Sequence, residues 1–350
     1  MGMSLRDHVR KVRRLGFLYD SFRGAVSPAA ARVAMAGAAT LALAACPPPT
    51  ATGSNKADNP SFAAPTKNAF GFQPIAAGEP VAPAFVDING DGSADLFAGA
   101  GGEALGVIKY YANTGSKTSP SFAAGADYLG LTNSTTYVYQ NPVPVLAPVN
   151  GGPLWDVLIG DSSGGSNSAP SLRFYANSGS AFNLQSLPPS ALPSNGGGPG
   201  SSITATVVDI NGDGLLDVFV SSSNGTVNTI DYFKNMGPKS APLFEDEHIS
   251  LGLDLPAGTK YGYPTFVDIA ANGTYDAFVG DENGNIYFFK NTGSPSAPQF
   301  AAPVKNPFGI TPVPAGPAVP AFVDIDGDGD FDLFVGDGNG DLWFYRNTNL

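Results

Sequence analysis

The sequence of 350 residues contains one cysteine and two histidines, and only 14% of its residues are charged. A single cysteine, Cys46, excludes an internal disulfide framework and any metal cluster that needs several cysteines. Two histidines, His8 and His248, leave little material for histidine-based catalysis or for a zinc site. The chain also lacks a phosphate-binding loop. Most of the common hydrolase and nucleotide-binding chemistries are therefore disfavoured.

Glycine and proline are abundant instead, with 44 and 31 residues. That frequency of turn-forming residues opposes long helices, because glycine and proline destabilise helix interiors. The 23 phenylalanines and 13 tyrosines, within a hydrophobic fraction of 43%, are enough to build a core. This composition predicts many short, half-buried strands.

Charge is unevenly distributed along the chain. Residues 1–45 hold seven Lys/Arg and two Asp, a net charge of +5, whereas the remainder holds eleven Lys/Arg and 28 Asp/Glu, a net charge of −17. An acidic body without basic stripes argues against nucleic acid and against anionic membrane surfaces as partners. It favours the binding of hard cations.

The first 46 residues are predicted to be an export signal. A cationic segment precedes the apolar stretch 33–45, which is too short to span a bilayer as a stable helix. The stretch ends in Leu43-Ala44-Ala45-Cys46, which resembles the lipobox of bacterial lipoproteins and implies diacylation of Cys46. The alternatives are an ordinary secretory peptide cut near Ala42 to Ala45, or a retained helix. Residues 47–58 read as a flexible tether, so we expect a cell-envelope lipoprotein or a secreted protein that meets the membrane only through its lipid.

Residues 59–350 contain five copies of one repeat. An acidic loop ends in an aspartate at positions 95, 156, 217, 276 and 332, at spacings of 61, 61, 59 and 56 residues. Each loop is followed by an aromatic-x-Asn phrase, interpreted as a turn in which Asn and Gly take positive φ. Alternating apolar runs predict four antiparallel strands in each repeat. Such a unit repeated radially is the blade of a β-propeller, so the sequence predicts an all-β, five-bladed propeller.

The two ends of the repeat region complement each other. The fifth repeat stops after its third strand, while the missing phrase occurs before the first repeat, where residues 59–72 match the segment that starts at Pro298. This match predicts that the N-terminal segment forms the outer strand of the last blade and closes the ring. The alternatives are an open array, or a fragment completed by another subunit.

The acidic loops are the candidate metal sites. Oxygen-bearing side chains occupy loop positions 1, 3, 5 and 9, and glycines at positions 4 and 6 allow alternate side chains to point inward. Hard oxygens at this spacing suit Ca²⁺ better than Mg²⁺, which demands a tighter octahedron. The alternative is a hairpin whose side chains cap its own turn. The three complete sets are Asp87, Asn89, Asp91 and Asp95; Asp209, Asn211, Asp213 and Asp217; and Asp324, Asp326, Asp328 and Asp332.

The remaining two loops are less complete. The fourth repeat keeps Asp268, Asn272 and Asp276 but has Ala270 at position 3. The second repeat retains a single carboxylate, Asp156, and is predicted to bind no metal. None of the loops is an EF-hand, because position 12 lacks the bidentate glutamate and no helices flank the loop.

The loops Asp87-INGDGSAD, Asp209-INGDGLLD and Asp324-IDGDGDFD, each followed by an apolar strand, resemble FG-GAP/VCBS repeats. This resemblance covers residues 59–350 and implies the calcium-binding β-propeller of integrin α-chains and of many secreted bacterial proteins. Integrin heads have seven blades, and the second repeat here lacks the ligands. A binding role like that of integrins is therefore an analogy with the family.

Two classes of function follow from the sequence. The first is a calcium-stiffened, non-enzymatic module for binding, adhesion or scaffolding, whose partner is a surface protein or a polysaccharide. The alternative is a lectin or a secreted hydrolase that acts on polysaccharide. A single acidic pair in the central channel would favour the hydrolase, and equivalent aromatic pockets between the blades would favour the lectin.

Overall fold

The computed structural model describes residues 59–75, 78–101, 106–131, 141–161, 172–185, 202–223, 228–247 and 250–349. All of these lie in the second of two units, Ala42–Leu350, the first being Met1–Leu41. The predicted export signal and tether, with Cys46, lie outside the described residues, as does His248.

The described residues form five antiparallel sheets, which are the blades of the predicted propeller. The helical content described is one 3-10 turn, Ala69–Gly71. Within this part of the chain, no helix has the length and apolar character needed to cross a membrane. The strands are β1 (Thr66–Lys67), β2 (Val81–Val86), β3 (Asp95–Ala100), β4 (Val107–Tyr111), β5 (Pro142–Ala147), β6 (Asp156–Asp161), β7 (Leu172–Asn177), β8 (Phe182–Gln185), β9 (Ser202–Val208), β10 (Asp217–Ser223), β11 (Asn228–Asn235), β12 (Phe244–Asp246), β13 (Gly262–Val267), β14 (Asp276–Asp281), β15 (Ile286–Phe289), β16 (Val304–Lys305), β17 (Val319–Val323), β18 (Asp332–Gly336) and β19 (Leu342–Tyr345).

Blade one contains β2–β4, blade two β5–β8, blade three β9–β12 and blade four β13–β16. Blade five has the order β1-β19-β18-β17. In blade one the fourth position is filled by two single bridges, Tyr110 to Ala126 and Asn113 to Phe122. The sequence prediction of four antiparallel strands in each of five units is thus confirmed.

The second strand of each blade is buried on both faces, because neighbouring blades pack against it from either side. Strands β3, β14 and β18 have no exposed residue. At Gly280 and Gly336, an added Cβ would lie 1.9 Å from the carbonyl oxygens of Ala318 and Val81. Only glycine allows the backbone of the next blade to approach so closely.

The core is divided into layers between adjacent blades. One apolar cluster joins blades one and five through Leu96 and Phe334, and another joins blades four and five through Phe278 and Val335. Three further clusters join the remaining neighbours. Because blade five packs against both blade four and blade one, the ring is closed.

The N-terminal segment completes blade five, as predicted. Strand β1 pairs with β19 in the register Thr66 to Phe344, and Phe62 bridges Asn347. The Asn68 side chain accepts a hydrogen bond of 2.8 Å from the Leu342 N–H and donates one of 2.9 Å to Asp341. Its equivalent in blade four, Asn306, makes matching bonds to Ile286 and Asn285. The closing segment therefore repeats the geometry of an ordinary outer strand.

Candidate metal centre

Each acidic loop connects the inner strand of a blade to its second strand. We name these loops after their blades: the blade-one loop (87–95), blade-two loop (148–156), blade-three loop (209–217), blade-four loop (268–276) and blade-five loop (324–332). The glycines at positions 4 and 6 have left-handed backbone in the complete loops, for example Gly327 at φ 71° and Gly329 at φ 91°. This agrees with the role that the sequence assigned to them.

The aspartate at position 1 organises the backbone of its own loop. Asp87 accepts hydrogen bonds from the N–H groups of Gly90, Asp91 and Gly92 at 2.7, 3.1 and 2.8 Å. Asp209 and Asp268 bond the corresponding groups of their own loops. The capping of the turn, raised as the alternative to metal binding, is therefore present in these loops.

The aspartate at position 9 has a structural partner that sequence reasoning missed. In blade five, Asp332 Oδ1 accepts a 2.8 Å hydrogen bond from the Asn347 N–H, and the Asn347 amide donates to the Phe331 carbonyl at 3.2 Å. The same pair of bonds occurs in every blade. The five pairs are Asp95 with Asn113, Asp156 with Asn177, Asp217 with Asn235, Asp276 with Asn291, and Asp332 with Asn347.

The aromatic-x-Asn phrase therefore serves as a clamp on the acidic loop. The prediction that its Asn and Gly residues take positive φ was wrong for the asparagines; among the phrase's glycines, Gly179 alone does. The asparagines instead lie at or just after the end of the third strand, where their side-chain amides bond the carbonyl that precedes the second strand. Their recurrence at a fixed place in each repeat was the available signal.

The blade-five loop brings three carboxylates together. Ligand oxygens of Asp324, Asp326 and Asp328 all lie within 4.8 Å of one another. Asp326 is 7% exposed and Asp332 is fully buried. The buried oxygens without a partner include Asp324 Oδ1, Asp326 Oδ1 and Asp332 Oδ2, while Asp326 Oδ2 is ion-paired with Arg346. Buried polar atoms are normally hydrogen-bonded, so this group has the donor set and the unmet demand that a hard cation satisfies.

Burial also affects the protonation of the position-9 carboxyls. It raises the pKa of Asp332 to about 7, opposed by the hydrogen bond from Asn347 and reinforced by the charges of Asp328 and Asp324. Burial likewise raises the pKa of Asp217 to about 7, and that of Asp95 and Asp276 to about 6. These carboxyls are ionised at a cost that a neighbouring cation would reduce.

The other loops leave fewer oxygens unpaired. In blade one, the buried oxygen without a hydrogen bond is Asp95 Oδ2. In blade three, Asp217 Oδ2 accepts from the Tyr232 hydroxyl at 3.1 Å and from the Asn211 amide at 3.0 Å. In the blade-four loop, Asn272 accepts from Thr274, while Asp268 is taken up by backbone N–H groups. The three complete loops of the sequence are thus not equivalent in the structure.

A second acidic turn in blade five has no such unmet demand. Asp337 accepts hydrogen bonds from the N–H groups of Asn339 and Asp341 and from the Trp343 indole. Asp341 accepts from Asn68 and forms a 2.6 Å ion pair with Lys67. Asp337 therefore holds the turn itself, and Asp341 fastens the closing segment.

Comparison with known proteins agrees with the repeat architecture. The family model for the FG-GAP-like repeat matches residues 268–335. No curated protein matches the chain. Among solved structures, the chain is similar to the Tc holotoxin pore of Photorhabdus luminescens with the TccC3-D651A mutation, at 19% identity and TM-score 0.36 over 76% of this chain and 11% of that one. It is also similar to fructan 1-exohydrolase IIa from Cichorium intybus, at 11% identity and TM-score 0.47 over 83% of this chain and 58% of that one. The chain therefore spans a small part of the first protein and just over half of the second.

Proposed function

We propose, from the premise that this chain is an FG-GAP repeat β-propeller, that it is an exported, calcium-binding and non-enzymatic module for adhesion or scaffolding. The observation that carries the calcium proposal is the group of buried carboxylate oxygens without hydrogen bonds in the blade-five loop. Calcium would give these oxygens a partner and reduce their mutual repulsion.

In this proposal the blade-five loop is the principal site, with Asp324, Asp326, Asp328 and Asp332 as ligands. Calcium would supply a positive charge shared by the end of β17 and the start of β18, and would stiffen the blade at that point. The blade-one loop ranks second because Asp95 Oδ2 lacks the amide hydrogen bond that Asp217 receives in blade three. The blade-three loop ranks third because the Asn211 amide already bonds Asp217.

The recurrence of the position-9 aspartate supports a non-enzymatic role. A catalytic carboxylate acts at one place in a protein, but here five equivalent aspartates bond five equivalent asparagines. A framework role explains all five at once. The export proposal rests on the signal-like residues 1–46, and it is tested by membrane partitioning of wild type against Cys46→Ser, which removes the proposed acylation site.

Calorimetric titration of metal-stripped protein with calcium tests the calcium proposal. We expect wild type to bind calcium and Asp328→Ala to lose one equivalent. Asn150→Ala is the matched control, because the blade-two loop has a single carboxylate, Asp156, whose two oxygens are both hydrogen-bonded. An absence of calcium uptake by wild type would refute the proposal.

We propose that the partner is a polysaccharide or a surface protein. The test is a glycan and surface-protein array probed with calcium and again with chelator. Binding that requires calcium would support the module function. Turnover of an arrayed glycan would instead favour the hydrolase alternative.

A further inference from the structure

The blade-five loop is in contact with a positively charged side chain, that of Arg346. The guanidinium of Arg346 forms an ion pair with Asp326 Oδ2. The Asp326 side chain is 7% exposed, whereas that of Arg346 is 54% exposed. The pair therefore joins a buried carboxylate to a cation that remains accessible to solvent.

The two residues of this pair occur together in one repeat. At loop position 3, where blade five has Asp326, the other blades have neutral side chains: Asn89, Asn150, Asn211 and Ala270. At the position of Arg346, directly before the clamp asparagine, they have Ala112, Ala176, Lys234 and Lys290. The carboxylate at position 3 is thus confined to blade five, where the residue before the clamp is arginine instead of the alanine or lysine of the other blades.

The backbone holds Arg346 in place on both sides. Its carbonyl accepts a 2.9 Å hydrogen bond from the N–H of Ala63 in the closing segment. The next residue, Asn347, is fixed by its hydrogen bonds to Asp332 and Phe331. The backbone on both sides therefore keeps the base of the Arg346 side chain next to the blade-five loop.

We propose that Arg346 is a built-in competitor of calcium, which neutralises Asp326 in the metal-free protein and lowers the calcium affinity of the blade-five loop. This inference rests on the proposed function, because it concerns the same loop. A calcium ion that uses Asp326 must displace the guanidinium, and one that does not must still bind close to a positive charge. In both cases Arg346 opposes the metal.

The expected change in calcium affinity follows from Coulomb's law. Even in the dielectric of bulk water, a unit positive charge about 6 Å from a divalent ion changes its binding constant about tenfold. The blade-five loop has more carboxylates than the other loops and would otherwise bind calcium most tightly. Arg346 would bring its affinity closer to that of the blade-one loop, so that calcium in the surroundings fills the loops over a common concentration range.

The experiment is calcium titration calorimetry on the full chain. We expect Arg346→Gln to tighten one site about tenfold without changing the number of sites. Lys290→Gln is the matched control, because Lys290 holds the same place in blade four, where position 3 is Ala270, and we expect it to leave the tightest site unchanged. In the Asp326→Asn background, the effect of Arg346→Gln should fall below about twofold, because the guanidinium is then no longer held at the loop.

Thermal unfolding gives a second measurement. In chelator, Arg346→Gln should melt at a lower temperature than wild type, since the carboxylates lose their counter-ion, and calcium should raise its melting temperature by more. Arg346→Lys keeps the charge without the planar fork, so an intermediate affinity is expected, and this variant serves if Arg346→Gln does not fold.

The possible failures are distinguishable. No calcium uptake by wild type would overturn the proposed function and this inference together. Uptake by wild type with unchanged or weakened affinity in Arg346→Gln would overturn this inference alone. An equal gain in Lys290→Gln would also overturn it, because the effect would then come from net charge.

Discussion

The blade-two and blade-five loops join equivalent strands, and each is held by the same kind of asparagine clamp. They differ in whether the protein supplies a hydrogen bond to every buried carboxylate oxygen of the loop. In blade two, Asp156 accepts hydrogen bonds from the Asn150 backbone and amide, both at 3.1 Å, and from the Asn177 N–H at 3.0 Å. In blade five, Asp332 receives the clamp bond from Asn347, and its other oxygen has no partner. The carboxylate of the blade-two loop has a donor for each oxygen, whereas the blade-five loop has buried oxygens that a cation could bind.

This difference shows that the hydrogen bonds that fold the loop are independent of the free oxygens that could bind a metal. The clamp is present in all five blades, so it does not depend on the number of carboxylates. In the blade-two loop the Asn150 amide donates to Asp156, as the Asn211 amide donates to Asp217 in blade three. If the calcium proposal holds, the repeat can gain or lose binding at a loop without loss of the fold.

The largest expected effect concerns the outer edges of the two blades. Phe62, in the closing segment of blade five, is 6% exposed, whereas Leu184, in the outer strand of blade two, is 40% exposed. Phe62→Ala should lower the free energy of unfolding by about 3–5 kcal/mol, because it leaves a cavity in the core. Leu184→Ala should change it by less than about 1 kcal/mol. Equal effects in urea denaturation would show that the closing segment is not part of the core.

A second prediction tests whether the clamp is common to both blades. Asn347→Leu and Asn177→Leu each remove the side-chain amide that bonds the carbonyl before the loop aspartate, that of Phe331 or Trp155, while the backbone N–H bond to the aspartate stays. Each substitution should cost about 2 kcal/mol of unfolding free energy, because a carbonyl loses its donor. The measurement is urea denaturation in the presence of chelator, with the exposed Asn183→Ala as control. A cost confined to blade five would contradict a shared framework.

A third prediction uses the protonation of Asp332. An aspartate titrates near 3.8 in the unfolded chain, while burial raises the pKa of Asp332 to about 7 in the folded state. Because the folded state holds the proton more tightly, the stability linked to this group is complete below about pH 4 and is lost as the pH rises through about 7. In chelator, the melting temperature of the protein should therefore be higher at pH 5 than at pH 8.

Two variants and one ligand sharpen this test. Asp332→Asn should reduce the difference in melting temperature between pH 5 and pH 8 without abolishing it, because the pKa of Asp217 is also raised to about 7. Asp156→Asn should reduce the difference less, because both oxygens of Asp156 have donors. Calcium should also reduce the difference in wild type, by stabilising the ionised carboxylates. A wild type that melts at the same temperature at both pH values in chelator would refute the prediction.

The smallest expected effect comes from making blade two resemble blade five. Asn150→Asp replaces the amide that bonds Asp156 by a carboxylate that repels it, and should cost about 1 kcal/mol in chelator. Calcium should restore part of this loss in the melting temperature. If the variant is destabilised but gains no response to calcium, two carboxylates are too few to bind the ion at this loop.

The architecture was readable from the sequence because it depends on repetition and local chemistry. The spacing of the loop aspartates predicts five blades, and the similarity of residues 59–72 to the segment from Pro298 predicts the closing strand. Glycines such as Gly327 and Gly329 mark the left-handed positions of the loop, since few other residues adopt them without strain.

The clamp and the ranking of the loops could not be predicted in the same way. Asn113 bonds Asp95 across 18 residues, so the bond depends on how the third strand lies against the second. Whether a loop oxygen is free depends on donors such as Tyr232, which come from another strand. Similar loop sequences therefore have different unmet demands, and only the packed structure separates them.

The closing strand also has a consequence for how the protein is made. Asn68 bonds Leu342 across 274 residues, so the segment that completes the ring is synthesised long before its partner. At translation rates of roughly 5–20 residues per second, this interval is on the order of tens of seconds. During that time the earlier blades can pack in sequence, while β1 remains an unpaired strand that another nascent chain could capture. The yield of closed monomers should therefore depend on how densely chains are produced, and crowded synthesis should favour strand exchange between copies.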